Sequence, residues 1–150
     1  MLDQKLVDAI RQNLLLEMEG RVAACAGESG LVIVPAAQQG LINSPDTHRQ
    51  IAAIIYREYR LRAGLCADAF AAMVDECDAW SDDAACEQLR EQAIEVLGRS
   101  VSDLTRIYNV FRGLPGGTDC MGTLDECYRQ AVAEVDVRIS VALEGLASRR

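Results

Sequence analysis

The sequence predicts an all-α fold, one domain built as an irregular bundle of five to six helices. Three observations point there. Apolar residues recur at steps of three and four along most of the chain, the period of a helix with one buried side. Segment starts are marked by Ser, Thr or Pro and segment ends by Gly. The chain has 150 residues, 50% hydrophobic and 25% charged, which suits a single domain with a continuous core. Aromatic residues make up only 5%. The core must therefore be mostly Ala, Leu, Val and Ile, a composition that lets helices approach closely. A disordered chain and a collagen-like repeat are both excluded by this composition. The longest apolar run, Leu31 to Ala37, is interrupted by Pro35. It falls well short of the roughly 18 residues a membrane helix needs.

The first helix carries Leu2, Leu6, Ile10, Leu14, Met18, Val22 and Cys25 on one side and is expected to end near Gly27. From Glu28 to Ser44 the chain holds Gly30, Pro35, Gly40 and the run Leu31-Val32-Ile33-Val34. It reads as a connection with a short extended piece, or with a helical turn after Pro35. Ser44-Pro45-Asp46-Thr47 places a capping residue before a proline at the first helical position. The second helix then runs through Ile51, Ile54, Ile55, Tyr59 and Leu61 to Gly64, and the third through Cys66, Phe70, Met73, Cys77 and Trp80. Ser81-Asp82-Asp83 caps a fourth helix with Ala85, Cys86, Leu89, Ala93, Val96 and Leu97 inside, which Gly98 ends or interrupts. Ser100 or Ser102 starts a fifth, holding Leu104, Ile107, Tyr108 and Phe111. Gly113-Leu-Pro-Gly-Gly117 is the strongest break in the chain. Thr123 with Glu126 forms a capping box for the last helix, whose seam is Tyr128, Val132, Val135, Ile139, Ala142 and Leu146. Val137 and Val141 fall off that seam, so they either widen the buried stripe or touch a partner.

Charge is unevenly spread. Net charge is -8, from 23 acids against 15 bases. Between Asp68 and Glu95 nine acids face Arg90 alone, and the rest of the chain is neutral. A surface of this sign repels phosphate backbones and anionic lipid, so neither direct nucleic-acid binding nor membrane binding is expected. A protein partner with a basic surface is expected instead. The residues assigned to bind it are Asp75, Glu76, Asp78, Asp82, Asp83, Glu87, Glu91 and Glu95. A second copy of the chain is the other partner considered. The basic stretch Tyr56-Arg57-Glu58-Tyr59-Arg60-Leu61-Arg62 is expected to pair internally with the acidic helices, although Arg and Tyr are also the types that dominate binding hot spots.

Chemistry-bearing patterns are weak. No Cys-x-x-Cys occurs and no His lies near a Cys, so no metal site is assigned. Glu-x-x-His pairs and a Gly-x-Ser-x-Gly elbow are also missing. The single His48 falls in the first turn of the second helix and is expected to be exposed there. Five of the six cysteines lie on apolar helix sides and read as small buried hydrophobes. The chain is thus expected to be a non-enzymatic, cytoplasmic interaction protein without cofactor: a candidate inhibitor, immunity protein or antagonist of a basic protein, nucleic-acid machinery among the targets that fit. Two alternatives stay open. One is an exported helical domain stapled by Cys77–Cys86 and Cys120–Cys127. The other is a small ligand-binding protein or enzyme using His48, Tyr56 or Tyr108.

Overall fold

In the computed structural model, residues 3–76, 83–117 and 123–148 are described. They form five helices: α1 (Gln4–Gln38), α2 (Pro45–Glu76), α3 (Asp83–Ser100), α4 (Ser102–Arg112) and α5 (Leu124–Ser148). No strand occurs among the described residues, as the helical period predicts.

Two of the expected helix boundaries are corrected. Helix α1 does not stop near Gly27. It continues through Gly30 and Pro35 to Gln38, absorbing most of the expected connection. The real stop is Gly40, whose φ of 70° suits a glycine. There Gly40 N donates to Ala37 O at 3.2 Å and Leu41 N to Ala36 O at 2.7 Å. This bond pair closes a helix with a left-handed residue just past its end. The β-branched run stays helical because Val32 and Ile33 pack against the core, and packing outweighs local preference. Helix α2 likewise passes straight through Gly64, so the expected second and third helices are one 32-residue element. Gly64 lies against α5: a methyl group there would sit 3.8 Å from the Arg138 guanidinium, which also donates to Gly64 O at 3.3 Å.

Helix α3 also runs two residues past Gly98, to Ser100, and α4 starts after Val101 without the side-chain cap expected from Ser100 or Ser102. Ser44 caps α2 by accepting from Thr47 N at 3.2 Å, and the Thr47 hydroxyl donates back to Leu41 O at 2.9 Å. Helices α3 and α4 are separated only by Val101. After α4 the chain turns at Gly116, and at Gly117 a side chain would collide with the Phe111 carbonyl.

Helix α2 is the central element. It packs on every other helix, most extensively on α5. Side-chain pairs give the directions. Arg21 meets Glu58 and Glu28 meets Arg57, so α1 runs antiparallel to α2. Tyr59 lies beside Cys127 and Ala131, and Asp68 meets Arg138, so α5 runs parallel to α2. Arg90 reaches Asp136, and Gly98 approaches the Tyr128 hydroxyl, so α3 runs antiparallel to α5. Helix α4 folds back along the first half of α2, from Arg62 at one end to His48 at the other.

One hydrophobic cluster joins all five helices, with Leu14, Ile51, Ile55, Phe70, Leu89, Leu97, Leu104, Phe111 and Ile139 inside it. His48 is also inside. The expectation that it is exposed is overturned: it is 0% accessible and meets the Phe111 ring edge-on at 5.5 Å. The short α4 covers this end of α2, a packing that sequence position alone does not reveal. Val137 and Val141 are 58% and 62% exposed, so they do not widen the buried stripe of α5.

Candidate functional site

Helix geometry places Glu87, Glu91 and Glu95 in one row, because residues four apart lie on the same side. All three are exposed. Their surroundings differ. Glu87 meets Arg90 at 3.5 Å within α3. Glu95 accepts from Arg11 of α1 at 3.3 Å and pairs with Arg99 at 2.9 Å. Glu91, between them, makes no ion pair among the described residues. Asp83 is exposed in the first turn of α3, where the helix dipole favours a carboxylate. Asp75 is exposed near the end of α2. Asp78 and Asp82 lie outside the described residues, as does the side chain of Glu76. Asp68, which opens the acidic segment, is bridged by Arg138 of α5.

The segment that counts as nine acids against one base is thus met by arginines distant in sequence, Arg11 and Arg138, and by Arg99 just beyond its end. Among the described residues, what stays open centres on Glu91, with Asp83 and the exposed edge of Glu87.

Among the described residues, Arg57, Arg60 and Arg62 do not supply the neutralisation expected of them. Arg57 bridges Glu28 of α1. Arg62 is fully buried and builds a polar centre of its own. Its Nε donates to Glu58 at 3.1 Å, and its two terminal nitrogens grip Asp103 at 2.6 and 3.0 Å. It also donates to Ser100 O at the junction of α3 and α4. Burial works against the guanidinium charge, but the bonds and charges of Asp103 and Glu58 outweigh it and hold the Arg62 pKa above its usual value. Arg21 adds a second cation to Glu58. This network ties α1, α2 and α4 together through fixed, directional bonds.

Cys25 lies close to that network. Burial, then the charge of Glu58, pushes its thiol upward. Cys66 is pushed up to about 12 by burial alone. Both are free buried thiols held protonated at neutral pH, and a protonated thiol is a poor nucleophile. Cys77 and Cys120 lie outside the described residues, so the two pairings of the stapled alternative do too.

A second feature was only partly visible in the sequence. Tyr56, Tyr59 and Arg60 of α2 face Cys127, Gln130, Ala131 and Glu134 of α5 across a recess of about 140 Å³. It adjoins a wider depression of about 650 Å³ that shares Tyr56, Arg60 and Glu134. Tyr59 forms the floor, and burial pushes its hydroxyl up to about 12 against the opposing effect of its bond to Thr105. Tyr56 was the one ligand-binding residue in the sequence reading to reach an open cleft. His48 and Tyr108 are buried elsewhere, Tyr108 beneath Arg112 at 5.9 Å. The signal available was the spacing of Tyr56, Tyr59 and Arg60 on one helix side, and of Gln130 and Glu134 on another.

Among the described residues no group of three His, Cys, Asp or Glu is placed to hold a metal ion. Nor is any described helix long and apolar enough to cross a membrane. No family model, no curated protein and no solved structure matches the chain.

Proposed function

We propose that the protein is a non-enzymatic interaction module that binds a basic protein partner through the outer side of α3. The observation that carries this reading is Glu91, exposed in the middle of a glutamate row and unbridged among the described residues while both neighbours in the row hold arginines. Like charges four apart repel, which costs a few tenths of a kcal/mol per pair, so the row is a local liability to the helix. A cationic partner would offset it. Asp83 and Glu87 extend the contact toward the end of α2, where Asp75 is also exposed. Such a surface suits an inhibitor, immunity protein or antagonist that occupies a cationic groove otherwise filled by phosphate, in a reducing, cytoplasmic setting.

Charge placement is separable from total charge. Glu87→Lys with Glu91→Lys should abolish co-purification of the partner from the native host and remove the salt sensitivity of the complex. Glu19→Lys with Glu144→Lys makes the same change in net charge at exposed positions elsewhere and should leave binding intact. Equal loss in both variants would show that only total charge matters. Undiminished binding by the α3 variant would exclude α3 as the docking side.

A further inference from the structure

The cleft between α2 and α5 brings one cation and one anion together without pairing them. Arg60 is exposed and Glu134 is half-buried, and both line the recess and the wider depression. Neither makes an ion pair or a hydrogen bond among the described residues. Arginines nearby behave differently. Arg57, one turn earlier on α2, closes onto Glu28, and Arg138, one turn after Glu134 on α5, closes onto Asp68. A cation and an anion that share a cleft without pairing offer two attachment points of opposite charge.

The recess supplies the third element. Its floor is apolar and closed: Tyr59 and Ala131 are 2% and 4% exposed. Tyr56 forms one wall with its ring. A volume of about 140 Å³ is close to that of cavities in other proteins that accept one benzene-sized ring. Rings in such a site meet neighbouring aromatic side chains edge-to-face or offset, with an added gain beyond the buried area.

We propose that this cleft binds a small aromatic zwitterion of the α-amino-acid class. The ligand carboxylate lies against Arg60, whose planar fork donates two parallel bonds to such a group. The ligand ammonium lies against Glu134. The ring enters the recess over Tyr59 and Ala131, beside Tyr56. Charge complementarity, the apolar floor and the one-ring volume all select the same class. A dicarboxylate would be repelled by Glu134 and a diamine by Arg60. The site lies on different elements from the α3 row, so it stands or falls independently of the proposed partner surface.

The test uses the full chain with three probes: L-phenylalanine, 3-phenylpropionate, which lacks the ammonium, and phenethylamine, which lacks the carboxylate. Titrations followed by amide chemical shifts should move signals of residues 56–60 and 127–134 with L-phenylalanine. Each single-charge analogue should bind about tenfold more weakly, the loss expected for one charge-assisted contact. Arg60→Gln should make L-phenylalanine no better than phenethylamine. Glu134→Gln should make it no better than 3-phenylpropionate. No shift at millimolar L-phenylalanine would overturn the proposal. So would equal binding of all three probes, or shifts confined to other helices. Because the probe comparison is made on the wild-type chain, the outcome is decisive even if a variant folds poorly.

Discussion

Arg62 is the residue on which the interior depends most directly. It sits fully buried between Glu58 and Asp103 and ties α2 to α4, which the bond between Tyr59 and Thr105 also joins. Removing one member of a buried ion pair leaves the others charged, desolvated and unmatched. Arg62→Met should therefore cost about 3–5 kcal/mol in urea unfolding. Replacing Arg62 and Asp103 together by apolar residues should cost clearly less than the sum of the two single changes. An additive double mutant would mean that the two residues are not coupled. Cys66 makes a pH prediction at the same scale. Its thiol is raised from 9.0 to about 12 in the folded chain by burial. The folded protein thus holds this proton more tightly than the unfolded chain does. The stabilisation is complete below pH 9.0, then falls as pH climbs toward about 12. Tyr59, raised from 10.0 to about 12, adds to the same alkaline loss. Cys66→Ala should flatten the stability profile above pH 9.0, whatever it does to stability at neutral pH. A profile as steep as wild type would assign the alkaline loss to other groups.

At the scale of elements, glycine decided which boundaries could be read from the sequence. Gly27, Gly30, Gly40, Gly64 and Gly117 look alike in a string of letters. Only Gly40 needs a left-handed backbone, and only Gly117 lies where a side chain would strike a carbonyl. A mid-helix glycine costs about 1 kcal/mol, which burial of Cys25, Val32 and Ile33 along α1 readily outweighs. The capped start of α2 was legible because a cap is local chemistry. The continuity of α1 and α2 was not, because tertiary packing sustains it. Opposite mutational signs follow. Gly27→Ala with Gly30→Ala should raise stability by about 1–2 kcal/mol, since nothing lies within 4 Å of either added methyl group. Gly40→Ala should destabilise by about 1 kcal/mol or more through its positive φ. Thermal melts of the two variants give the comparison, and a loss of stability in the first would break the continuous α1.

The whole molecule shows what a charge count along the chain leaves out, namely the arginines that other helices bring to the acidic segment. The row Glu87, Glu91 and Glu95 was legible from a four-residue period, but Arg11 lies 84 residues from Glu95 and reaches it only because α1 packs beside α3. Likewise Arg60 and Glu134 become neighbours only through the parallel pairing of α2 with α5. Periodicity along one helix can be read from sequence, whereas complementarity between helices depends on register. Among the described residues of the row, Glu91 is left unbridged, and this has a stability consequence. Glu91 has like charges one turn away on both sides, so Glu91→Lys replaces two repulsive pairs by two attractive ones. Each such exchange is worth a few tenths of a kcal/mol in either direction, so the variant should gain up to about 1 kcal/mol at low salt. The gain should shrink as salt screens the exposed row. Urea unfolding at two ionic strengths measures both effects. A chain that becomes more stable while losing its partner would identify Glu91 as a charge retained for binding at the expense of the helix that carries it. Destabilisation at low salt would instead mean that Glu91 supports the fold, and the case for α3 as a docking surface would fail with it.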